Sequence, residues 1–150
     1  MDVNSSYHFD APAARVWEVM LDPDVIAKCM PGCEKLTPLG NDQYEAIISV
    51  GVGAVRGSYT ARITVADQVP MRSYRLVVEG TGAPGFVRGV AHISLEDQGE
   101  RTLVKVDGDA QVGGTAARVG QRLIGNINRM MMDRFFMCLQ EVAGQADPRS

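Results

Sequence analysis

Long apolar runs are missing from this chain of 150 residues. No uncharged stretch approaches the roughly 18 residues that a membrane-spanning helix needs. The N-terminus, Met1-Asp2-Val3-Asn4, has neither a basic start nor an apolar core, so no signal peptide is expected. A basic excess is missing as well. The 15 Lys and Arg stand against 18 Asp and Glu, for a net charge of −3, which disfavours a general nucleic-acid binder. Cysteine is scarce, and the 3 present make an odd number. With no secretion signal, reduced thiols in a cytoplasm are the expected state. Neither G-x-S-x-G nor H-E-x-x-H occurs, and only 2 histidines are present, so the familiar hydrolase constellations have no carrier. There is no internal repeat and no low-complexity linker.

What is present is an ordinary globular composition, 45% hydrophobic and 22% charged. This length suits one domain, which buries roughly 70% of its unfolded surface without needing a disulfide or a metal. The expected organisation is a single domain over residues 1–143 and a flexible tail at 144–150.

The pattern reads strand, helices, many strands, long helix. Val3, Tyr7 and Phe9 share one parity of a short strand. Asp10 and Pro12 suit the start of a helix over Ala13 to Leu21, and Asp22-Pro23 starts a second from Asp24 to Met30, ended by Pro31-Gly32. From Glu34 to Val112 the period becomes two. Strands are expected around 44–50, 58–66, 73–79, 86–95 and 102–112, with glycine-rich turns between them, including Gly51-Val52-Gly53. Short connections of this kind indicate an antiparallel meander. From Thr115 to about Ala143 the period returns to 3.6, with Val119, Leu123, Ile127, Met130, Met131, Phe135, Cys138 and Val142 on one arc. A helix of that length crosses a whole sheet, and a curved sheet gripping it leaves room for an apolar pocket.

The expected class is therefore α+β, with a curved antiparallel sheet wrapped around a long C-terminal helix and two short helices after the first strand. This order resembles the helix-grip fold of the START and birch-pollen-allergen superfamily. Ala11-Pro12 with Val16-Trp17 resembles the superfamily's opening. Asp22-Pro23, Cys29-Met30-Pro31-Gly32-Cys33-Glu34, Gly80-Thr81-Gly82 with Gly89, and Val112-Gly113-Gly114 leading to Val119-Gly120-Gln121-Arg122-Leu123-Ile124 resemble one branch, the CoxG family of carbon monoxide dehydrogenase proteins.

That resemblance implies an accessory protein of a molybdenum hydroxylase of the carbon monoxide dehydrogenase type, with a cavity suited to a quinone-like or other lipidic guest. It implies a cytoplasmic location, at most peripheral to the inner face of the membrane. Many members carry a C-terminal extension that associates with membranes. This sequence stops at Ser150 soon after the helix, so weak or no binding to anionic vesicles is expected.

Several motifs compete with blander readings. Gly80-Thr81-Gly82-Ala83-Pro84-Gly85 spells G-x-G-x-x-G, but a strand rather than a helix is expected after it, so it reads as a turn and no binding of NAD(P) or ATP is expected. Cys29-x-x-x-Cys33 could be half a metal site or, if the turn allows, a redox disulfide, yet no second spaced pair exists and a plain helix-to-strand turn is favoured. His8 is off the inward parity and His92 is a lone strand histidine, so neither is a favoured catalyst. Arg118, Arg122 and Arg129 form a polar stripe, Met132 and Phe136 lean toward it as a dimer or partner contact or against the sheet edge, and Arg134 falls within the apolar arc. A guanidinium there should pair with a carboxylate or reach the cavity mouth.

Three functions remain. The first is a noncatalytic binder of a hydrophobic ligand, with no obligatory cofactor. The second is a cyclase- or aromatase-like enzyme of the same superfamily. The third is an interaction or membrane-recruitment module without a ligand. For the first, the expected ligand-binding residues are Leu123, Ile127, Met130, Met131, Arg134 and Phe135 from the helix and Tyr44, Tyr59 and Tyr74 from the sheet. The expected partners are a hydrophobic small molecule and the hydroxylase, with a homodimer left open.

Overall fold

The computed structural model describes residues 2–51 and 56–144. The expected tail at 145–150 and positions 52–53 of the expected turn lie outside the described residues, as does the side chain of Val119. The elements are β1 (Asp2–Phe9), α1 (Ala13–Leu21), α2 (Pro23–Cys29), β2 (Cys33–Gly40), β3 (Gln43–Val50), β4 (Gly57–Val69), β5 (Ser73–Gly82), β6 (Gly85–Asp97), β7 (Thr102–Gly113), a 3₁₀ turn (Thr115–Val119) and α3 (Gln121–Gly144). The seven strands form one sheet in the order β1-β7-β6-β5-β4-β3-β2, every pair antiparallel. This is the helix-grip arrangement.

Local chemistry explains the first turns. Val16, Val19 and Met20 recur at helical spacing and are buried, so α1 packs by one face. Asp10 does not cap α1, contrary to expectation. Its carboxylate instead meets Arg101 at 2.9 Å, and the Pro12 carbonyl accepts the Arg15 and Val16 N–H groups. Asp22 does cap α2, accepting from the Asp24 N–H at 2.9 Å, with Pro23 where no N–H is needed. Gly32 turns the chain into β2 at φ +76°, and its carbonyl accepts the Ser49 N–H at 2.9 Å. A Cβ there would collide with the Ser49 carbonyl, which is why proline-glycine precedes Cys33.

The glycine-rich stretch joins two strands. Gly82 pairs with Gly85 and leaves Ala83 and Pro84 as the loop of a tight hairpin between β5 and β6. No helix N-terminus follows it, so the spacing that resembles a dinucleotide loop is a hairpin. The last helical segment is not continuous from Thr115, as its periodicity suggests. Gly120, at φ +90°, separates the 3₁₀ turn from α3.

The cysteines correct the reduced-thiol expectation. Cys29, at the buried end of α2, forms a disulfide with Cys138 of α3, with Cα atoms 5.3 Å apart. Cys33 stays a free thiol beyond the Gly32 turn, donating to the Lys35 carbonyl at 3.6 Å, and burial pushes its pKa up. The Cys29–Cys33 spacing is therefore not a redox or ligand unit. The residue that completes Cys29 lies 109 positions away.

The main core sits at one end of the sheet, where Phe9, Val16, Val19, Val104, Phe136 and Leu139 are buried together. The C-terminal half of α3 is fixed there. Phe136 stacks on Tyr7 with centroids 4.2 Å apart and meets Phe9 edge-on. The Tyr7 hydroxyl donates to Asp133 at 2.9 Å, Gln140 donates to the His8 carbonyl at 2.7 Å, and Arg15 donates to the Val142 carbonyl at 3.2 Å. Phe136 and Met132 are thus part of the core or packed on it, not a surface contact.

Candidate functional site

The register of the sheet decides where space is left. Near β1, large side chains follow one another across the strands: Tyr74 opposite Ile93, Ile93 opposite Val106, and Leu95 opposite Val104. These fill the gap beneath the C-terminal half of α3. Toward the other end, Ala46 lies opposite Ala61, and Ala61 opposite Gly80. In the next row Gly89 lies opposite Ala110. Small residues in adjoining rows leave the sheet low where the N-terminal half of α3 passes over it.

The result is a cavity of about 250 Å³, partly open to solvent. Its floor is Ile48, Tyr59, Ala61, Val78, Gly80, Val87 and Ala110, with Val50 and Val112 at the strand ends. Ile124, Ile127, Asn128 and Met131 of α3 form its roof. No charged side chain lines it. Tyr59 is buried, and burial raises its phenol above the ordinary value, so it stays protonated at neutral pH. Asn128 is the other polar side chain of the lining. Its amide nitrogen donates to the Met132 thioether at 3.7 Å. At the glycine end the 3₁₀ turn is tied to the hairpin through the Thr115 hydroxyl, which donates to the Pro84 carbonyl at 2.9 Å.

Of the residues expected to bind a ligand, Tyr59, Ile127 and Met131 meet in this lining, and the others lie elsewhere. Tyr74 is in the main core, its ring 5.7 Å from Trp17, and burial drives its phenol strongly upward. Tyr44 bridges the main core and the small cluster of Ala46, Ala61 and Ile63. Phe135 packs edge-on against Phe136. Leu123 and Met130 are each 38% exposed. Arg134 is exposed and makes no hydrogen bond or ion pair among the described residues, so neither the expected carboxylate nor the cavity mouth receives it. The reason is a turn of the helix: the inward stripe runs through Ile124, Asn128, Met131, Phe136 and Leu139, not through Leu123, Met130 and Arg134. Asn128 and the Ala61–Gly80–Ala110 floor were missed. The floor is visible only once the strand register is known. Asn128 carries a signal of its own, a polar residue of poor helix propensity among apolar ones. His8 and His92 are both exposed. No helix among the described residues is long and apolar enough to cross a membrane.

Known proteins of this architecture place the chain. A conserved protein from Geobacillus kaustophilus is 35% identical, with 95% of each chain covered and a TM-score of 0.92. A START superfamily protein from Mycobacterium smegmatis shares 14% identity over 95% of this chain and 96% of that one, at a TM-score of 0.74. The ZhuI aromatase/cyclase from Streptomyces sp. R1128 shares 15% over 95% of this chain and 93% of that one, at 0.67. At such identities the last two establish the fold alone. No curated protein matches the sequence. Residues 6–144 match a single protein family across the sheet, the cavity and α3, and the chain belongs to that family, the carbon monoxide dehydrogenase CoxG family.

Proposed function

We propose that this protein is a noncatalytic carrier or presenter of an apolar, quinone- or lipid-like molecule, acting beside a molybdenum hydroxylase of the carbon monoxide dehydrogenase type. The observation that carries the reading is the cavity roofed by α3, apolar on every side and free of charged lining residues. Its volume of about 250 Å³ is below the range of roughly 300–1,000 Å³ that encloses drug-sized ligands. A ring system fits inside, and any long chain attached to it leaves through the open side. Burial of apolar area at roughly 25 cal/mol per Å² supplies the affinity.

Binding is favoured over acid–base turnover by the lining itself. Tyr59 is its one titratable side chain, and a phenol held protonated is a poor base at neutral pH. The family supplies the hydroxylase context, and the partner would take the guest from the open side.

Ile127→Trp tests the site. The larger ring should fill the cavity and abolish binding of a short-chain menaquinone analogue, followed by tryptophan fluorescence or calorimetry, with the circular dichroism unchanged. A folded variant that binds as tightly as the parent would place the site elsewhere. A parent that binds no apolar molecule at all would leave the family's role to a protein-contact surface.

A further inference from the structure

We infer that Asn128 selects the head group of the guest, and that the ligand is a neutral ring system carrying one hydroxyl or carbonyl rather than a carboxylate. This rests on the cavity being a ligand site.

Three observations carry it. Asn128 is partly buried in a lining whose other members from α3 are Ile124, Ile127 and Met131. Its amide nitrogen has only the Met132 sulfur at 3.7 Å, and a thioether is a weak acceptor. Its amide oxygen makes no hydrogen bond among the described residues. An asparagine in a helix interior lowers helix propensity, and on an apolar wall it surrenders hydration as well. A group with both a donor and an acceptor to offer, in a space with few competing partners, recognises a neutral head that can give or take a hydrogen bond. A carboxylate would enter with its charge and find no cation in the lining. Burying an unpaired charge is far more costly than burying a hydroxyl. Tyr59 lines the floor opposite and adds no positive charge.

The test uses three compounds of one size: naphthalene, 2-naphthol and 2-naphthoate, titrated into the full chain at neutral pH. The parent should bind 2-naphthol about five- to tenfold more tightly than naphthalene, the share of one net hydrogen bond. It should bind 2-naphthoate on the order of 100-fold more weakly than 2-naphthol. Asn128→Leu, similar in volume, should bring naphthol and naphthalene to equal affinity while leaving naphthalene binding intact. Should the leucine variant fail to fold, Asn128→Ala must erase the same ratio. An unchanged ratio in a folded variant, or a parent that prefers the carboxylate, overturns the assignment of Asn128 and leaves the apolar cavity standing. A parent that binds none of the three removes the ligand site and this inference together.

Discussion

The two halves of α3 rest on different ground. From Met132 onward the helix lies on large residues, with a stacked pair of rings, a disulfide to α2 and three hydrogen bonds to β1 and α1. From Gln121 to Met131 it passes over alanine and glycine and encloses space. Both halves belong to one helix and face one sheet. The difference arises in the strands, where bulky residues alternate at one end and small ones at the other. A cavity therefore needs no special element. It needs a lid held firmly at one end and a floor with few side chains at the other.

That contrast can be broken by mutation. Leu139 is fully buried in the anchored half, and Leu139→Ala should destabilise the protein by about 2.7–5 kcal/mol in urea unfolding. Leu123→Ala, at a half-exposed position over the hollow half, should cost about 0.5 kcal/mol or less. Equal losses at the two positions would erase the distinction.

Reduction of Cys29–Cys138, or Cys138→Ser, should cost about 2–4 kcal/mol by releasing the constraint on the unfolded chain. Hydrogen exchange should then speed up in the anchored half of α3 and approach the rate of the other half. Cys33→Ser, which lies outside the bridge, should change neither.

The smallest effect is seen only in alkali. Burial in the filled end raises the Tyr74 phenol above its ordinary value of 10.0, so the folded state holds that proton more tightly than the unfolded state does. The stabilisation is complete below about pH 10 and is lost as pH rises toward the folded-state value. Tyr74→Phe should flatten the fall in stability above pH 10 and leave neutral-pH stability nearly unchanged. A slope identical to the parent's would assign the alkaline loss to other groups.

The architecture was legible in sequence because period two and period 3.6 occupy separate stretches, bounded by glycine and proline. The expected strands lie close to their observed limits for that reason. The facing of α3 was not legible. Met130, Met131, Met132, Phe135, Phe136 and Met137 are all apolar, so periodicity alone cannot choose among the faces they cover. The choice is made by Tyr7 and Phe9 from the far end of the chain and by Cys29 from α2. The tyrosines teach the same lesson. Tyr59 and Tyr74 both point to the helix side of the sheet, and only the register assigns one to the cavity and the other to the core. The disulfide was beyond reach because its partners stand 109 residues apart.

The position of β1 bears on how the molecule assembles. The first strand to be synthesised pairs only with the last, Phe9 opposite Thr102 and Asp2 opposite Asp109. Strands β2 to β7 pair strictly with their neighbours in sequence and can form in the order of synthesis. The floor of the cavity belongs to that local meander. The filled end needs β1, both short helices and α3, elements from opposite ends of the chain, and contacts of such separation form slowly. During synthesis Phe9, Val16 and Val19 stay uncovered until Thr102 and then Leu139 arrive. The hollow half is thus assembled first from nearby pieces, and the half that secures the lid is completed last.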